Sequence, residues 1–157
     1  MATTHQPGGR GGFQQGGRRD VQPPTLPVAK AFELRDAQGN PKPELLDEGA
    51  REWAQKFGSA LKTSQMRRFF DEVKAIERRI DLATVEEGPA AFARERAGLA
   101  LLKAKSSYAV SRDVAPPAFN QFMFDSVASI KDVQDFRAFV KVFEAIVAYH
   151  RFLNPRN

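Results

Sequence analysis

The chain has 157 residues, 42% of them hydrophobic and 27% charged, enough for one domain with its own core and too few for two comfortable ones. It holds no cysteine, which excludes disulfides, thiolate-ligated zinc and a thiol nucleophile, and no apolar run approaches the roughly 18 residues of a membrane span. The net charge of +5 points only weakly to a nucleic-acid partner, because Arg10, Arg18, Arg19 and Lys30 face Asp20 alone in residues 1–30 and leave the remainder close to neutral.

Residues 1–30 are rich in glycine, proline and glutamine and hold one aromatic, Phe13. Such a segment cannot bury enough apolar surface to offset its ordering entropy and is expected to be disordered. Residues 8–13, Gly-Gly-Arg-Gly-Gly-Phe, look like an RGG box able to make loose RNA contacts; a flexible, solubilising tail is the plainer account. The segment lacks the apolar stretch of a secretory signal, so the expected compartment is the cytoplasm. Residues 31–42 continue as linker, punctuated by Gly39-Asn40-Pro41. The expected organisation is a disordered tail and linker over 1–42 and a helical domain over 43–157.

From Pro43 onward the apolar period is helical, with no alternating segment. A first helix is expected over 43–61, with Leu46, Ala50, Trp53, Phe57 and Leu61 on one face and Glu44, Asp47 and Glu48 in its first turns. A second, with Thr63 or Ser64 as N-cap, runs to about residue 81 and buries Met66, Phe69, Phe70, Val73, Ile76 and Ile80. Gly88-Pro89 then opens a third over 89–112, whose apolar face collects Phe92, Leu99, Leu102, Ala109 and Val110. A short fourth helix over 117–129 presents Phe119, Phe122, Met123 and Val127. Asp132 caps a fifth, reaching residue 152 and packing Phe136, Phe139, Val140, Phe143, Ile146 and Val147. Five short-looped amphipathic helices make an all-α protein, a compact five-helix bundle behind a Gly/Arg/Pro-rich tail.

Catalytic chemistry has little to work with. His5 and His150 are the only histidines, too few for a histidine metal cluster. His150 shares a helical face with Phe139, Phe143 and Ile146 and reads as a hydrogen-bonded core residue. Adjacent acids such as Asp71-Glu72 and Glu86-Glu87 point in different directions on a helix. There is no phosphate loop, dinucleotide fingerprint or nucleophile elbow. No cofactor, metal or small-molecule substrate is expected, and the chain reads as a non-enzyme.

The third helix breaks the body's neutrality: Arg94, Arg96, Lys103, Lys105 and Arg112 stand against Glu95 alone. At about 100° per residue, Arg94, Leu101, Lys105, Tyr108 and Arg112 form one row beside the apolar face. Cations so spaced can follow phosphates, with Tyr108 offering a ring for stacking; a solvated face is the competing account. The second helix carries a weaker row, Arg67, Lys74 and Arg78, interrupted by Asp71. There, i,i+4 pairing of Arg67 with Asp71 and of Arg68 with Glu72 is the better explanation on spacing alone.

Three blocks then resemble a known family: Thr63-Ser64-Gln65-Met66-Arg67-Arg68-Phe69-Phe70 running on to Val73; Leu102-Lys103-Ala104-Lys105 leading to Tyr108 and Arg112; and the closing Phe143-Glu144-Ala145-Ile146-Val147-Ala148-Tyr149-His150-Arg151-Phe152. Together, over residues 60–152, they are similar to the Csm small subunit of type III-A CRISPR effector complexes, with Met66 and Arg68 where the family usually has Ile and Lys. The Gly/Arg tail is not part of that pattern. The resemblance implies a small helical bundle, several copies of which stack beside the guide-holding backbone subunits and line the channel where target RNA pairs with guide RNA. Cleavage and signalling then belong to other subunits. Sequence is chosen by base pairing, so the chain needs cations for the RNA backbone more than base-reading groups. Carried onto this chain, the resemblance assigns RNA contact to Arg67, Arg68, Lys105 and Arg112, with Ser64, Gln65 and Tyr108 beside them. The implied partners are the target and guide RNA duplex, the other subunits and further copies of the chain itself. A different class remains open: a helical protein–protein adaptor contacting its partner through Phe124 and Phe152, which lie off the main faces of their helices, with the RGG-like tail incidental.

Overall fold

In the computed structural model, which describes residues 23–157, apolar side chains recurring every three or four residues fold into helices along most of the chain. The expected disordered segment up to residue 22, including residues 8–13, lies outside the described residues. A one-turn α1 (Pro43–Leu46) precedes five longer helices: α2 (Glu48–Phe57), α3 (Thr63–Asp81), α4 (Gly88–Ser111), α5 (Pro117–Ser129) and α6 (Val133–Leu153). Among the described residues there is no sheet, only one isolated antiparallel bridge between Arg35 and Pro41. The protein is all-α.

The helix expected over 43–61 is broken twice. At Asp47 the backbone leaves helical geometry, at φ −112° and ψ −93°, and the Asp47 carboxylate takes the Tyr149 hydroxyl at 3.1 Å and Arg51 at 3.2 Å. That hydrogen bond to Asp47 raises the Tyr149 pKa above its ordinary value. The kink leaves Gly49 so close to the Glu44 carbonyl that an added Cβ would lie 3.2 Å from it. The second break is Gly58, whose φ of +51° ends α2 before a single 3-10 turn. By contrast α3 and α5 keep their expected spans, and Asp132 caps α6 by accepting from the Asp135 N–H at 2.8 Å.

The helices meet in a core of aromatic rings. Phe119 on α5 touches Phe69 on α3 at 4.9 Å and Phe57 on α2 at 5.3 Å between centroids, both edge to face. Phe122 extends the cluster to Trp53, Phe139 and Phe143. Helix α5 is central: Phe119, Phe122, Met123 and Phe124 are buried, as are Asn120, Asp125, Ser126 and Ser129. Its polar groups therefore need partners, and Asn120 accepts from the Ser106 and Ser107 hydroxyls of α4 at 2.7 and 3.1 Å.

Asp125 and Ser129 find theirs in an unexpected place. The stretch from Val28 to Arg35, expected as disordered tail and linker, runs extended along α5. Gln121 donates to the Val28 carbonyl at 2.8 Å, the Lys30 N–H to Asp125 at 2.8 Å and the Phe32 N–H to the Ser129 hydroxyl at 2.9 Å. Leu34 is buried, and Arg35 closes the strap on Asp135 at 2.7 Å and Asp132 at 2.9 Å. Alternate residues of an extended chain face the same way, so the backbone groups of Val28, Lys30 and Phe32 meet α5 along one edge of the strap, and buried Leu34 anchors its end. Leu34→Ala should destabilise the protein by about 2–4 kcal/mol, as large-to-small changes at closed core positions do. Denaturant unfolding checks this, and a loss below about 0.5 kcal/mol would show that the strap does not belong to the cooperative unit.

Candidate nucleic-acid interface

The start of α3 is built differently from the expected cap. Lys62, not Thr63 or Ser64, is the N-cap residue, and no side chain caps the helix. Buried Leu61 and a Lys62 N–H to Val114 carbonyl contact at 3.5 Å fix the chain's entry one residue earlier. Gln65 and Met66 then both donate to the Lys62 carbonyl, at 2.9 and 3.0 Å. Ser64 is thereby left exposed at the surface rather than folded back onto its helix.

On one flank of α3, five of the seven expected contact residues share a groove with α4. Gln65, Arg68, Lys105, Tyr108 and Arg112 line it together with Phe69, Glu72, Ala109 and Val114, around a cavity of about 300 Å³. Arg112 donates to the Tyr108 hydroxyl at 3.2 Å and lies 5.7 Å from the centre of its ring. The hydrogen bond raises the Arg112 pKa, so the guanidinium stays charged. Lys105 reaches across to Glu72 at 2.7 Å. Neither expected i,i+4 pair forms: among the described residues Arg67 and Arg68 have no carboxylate partner, and Glu72, the acid spaced to meet Arg68, is engaged by Lys105 of α4 instead.

Arg67 and Ser64 face the other flank. There, with Thr63, Arg68 and Asp71, they border Arg151 in the last turn of α6 and Asn157 beyond it. Arg68 lines both grooves. Reasoning from the sequence missed Arg151 and Glu72. The first stands in a block already quoted, and nothing on its own helix shows that it meets α3. It also missed the Thr84 and Glu87 capping box before α4, although its Thr-x-x-Glu spacing is legible. The Thr84 N–H, first, and its hydroxyl donate to Glu87 and hold that carboxyl below the ordinary range, with Arg94 adding to the effect.

One expectation for a protein-contact surface is corrected. Phe124 is buried, because α5 is enclosed on nearly every side, and Lys103 covers its ring at 4.6 Å; Phe152 is 80% exposed. His150 is buried and its Nε2 lies 2.8 Å from the Gly58 carbonyl. Among the described residues no three His, Asp or Glu side chains gather to hold a metal ion, and no helix is long and apolar enough to cross a membrane. What the α3/α4 groove can do is bind: it offers exposed guanidinium, ammonium and phenol groups and the half-buried Gln65 amide to an anion.

A family model described as Csm2 Type III-A matches residues 40–156. Comparison with curated proteins and with solved structures finds no match.

Proposed function

The chain belongs to the Csm2 Type III-A family, and from that premise we propose that it is a non-catalytic small subunit of a type III-A CRISPR RNA-guided interference complex. In this reading several copies stack along the guide RNA filament in the cytoplasm, beside the other subunits, and touch the target RNA backbone while guide pairing selects the sequence. The observation that carries it is the α3/α4 groove, where Arg68, Lys105 and Arg112 from two helices gather around one exposed phenol. A phosphodiester there meets cations from both walls of the groove and an aromatic face for a sugar or base. Lys105 is paired with Glu72, so a phosphate competes with a carboxylate to reach it. The adaptor reading keeps exposed Phe152 but loses Phe124 to the core.

The test is titration of the assembled complex with target RNA at several salt concentrations. Lys105→Ala and Arg112→Ala should each weaken binding about three- to tenfold, nearly uniformly across sequences, and lower the salt slope by about one. Glu72→Gln frees Lys105 and should tighten binding. Arg51→Ala and Lys56→Ala on α2 should do little beyond the small loss of long-range attraction that any lost cation brings. Equal effects from groove and α2 substitutions would make the row a solvated face and nothing more.

A further inference from the structure

The groove on the far side of α3 is not used by the contacts assigned above to α4. Its rim carries Arg67, Arg68 and Arg151 with Asp71 as the one acidic side chain, and none of the three guanidiniums has a carboxylate partner among the described residues. Deeper in, the space between α3 and the end of α6 is floored by Met66, Phe70 and Val147, with a volume of about 390 Å³, within the ordinary range for a ligand cleft. The α6 dipole favours a cation in its last turn, which accounts for Arg151 being basic. It does not account for Arg67 on a different helix turning to the same space.

We propose that the RNA path continues past the α3/α4 groove, over the first turns of α3, into this second groove, where Arg67 and Arg151 hold the phosphates of the same strand over an apolar floor. This rests on the proposed RNA-contacting role. The argument for a nucleic-acid strand, rather than an acidic peptide, is continuity: Arg68 lines both grooves, so a chain of phosphates leaving one enters the other without crossing an uncharged gap. The apolar floor beneath two guanidiniums suits a polymer that alternates charged links with flat, weakly polar rings. Each copy then grips the strand at two places joined by one arginine.

The experiment uses the 157-residue chain and uridine oligonucleotides of about 4 and about 16 nucleotides, the two ends of common single-strand footprints. The long oligomer spans both grooves, so Arg112→Ala and Arg151→Ala should each weaken it about fivefold and lower the salt slope by about one. The short oligomer fills one groove at a time, so either variant alone should cost it no more than about twofold, the other groove remaining. Lys141→Ala, on the exposed side of α6, is the reference for general loss of charge. If Arg151→Ala matches Lys141→Ala on the long oligomer while Arg112→Ala does not, the second groove is overturned and the RNA-contacting role stands. If Arg112→Ala also matches it, the RNA-contacting role itself falls. A polyglutamate peptide that binds as tightly as the long oligomer overturns the proposal in favour of a protein-facing surface.

Discussion

Phe119→Ala should lower the stability of the fold by about 3–5 kcal/mol, the range for removing a fully enclosed aromatic ring from a core. The ring is fully buried on α5 and stands within 4.9 Å of Phe69, 5.3 Å of Phe57 and 6.5 Å of Phe143, centroid to centroid. It therefore joins α5 to α2, α3 and α6 at once, and the neighbouring rings are too well packed to fill the space it leaves. Urea unfolding followed by circular dichroism should show the midpoint falling with an unchanged slope. A loss near that of an exposed residue, within about 0.5 kcal/mol, would place the centre of the core elsewhere.

Arg68→Glu should weaken the assembled complex's hold on target RNA on the order of a hundredfold, the largest functional effect expected of any single substitution. Its position at the meeting of two grooves means that reversal removes one cation from both and sets a carboxylate in the path of the phosphates. Arg68 is exposed and has no carboxylate partner among the described residues, so the helical signal should be unchanged. Arg68→Lys should recover much of the loss, because a phosphate accepts either cation. A reversal variant that binds as well as Arg78→Glu, farther along α3, would remove Arg68 from the interface.

The bundle was legible because apolar period and helix span coincide: the stripe from Met66 to Ile80 predicts α3, and Asp132 announces α6 by a capping chemistry that needs no tertiary contact. The break at Asp47 was not legible. It depends on a hydroxyl from Tyr149, brought there by the packing of α6. Gly58 was there to be read as a helix stop, but the apolar Leu61 beyond it suggested continuation. Helix α5 hides Phe124 because it is buried nearly all round, polar side chains included, and such a helix has no single face from which exposure can be inferred. The site divides in the same way. A row on one helix, Lys105, Tyr108 and Arg112, follows from geometry that the sequence fixes locally. Which of them is already bound by Glu72, and which arginine on another helix joins Arg67, follows only from how helices pair.

The strap along α5 carries a limit within it. Every second residue of an extended chain advances about 6.6 Å, while every fourth residue of a helix advances about 6.0 Å. The two act as rulers with nearly equal divisions, and Val28, Lys30 and Phe32 meet Gln121, Asp125 and Ser129 where the marks coincide. Each further mark drifts by about 0.6 Å, little enough over three marks for every contact to form, and the third mark, Ser129, is the last residue of α5. The chain changes its means of attachment at that point: Leu34 turns into the core, and Arg35 reaches past the end of α5 with a long side chain to Asp132 and Asp135 at the start of α6. A strap of this kind is as long as the helix it is measured against, because the two repeats keep step only while that helix lasts.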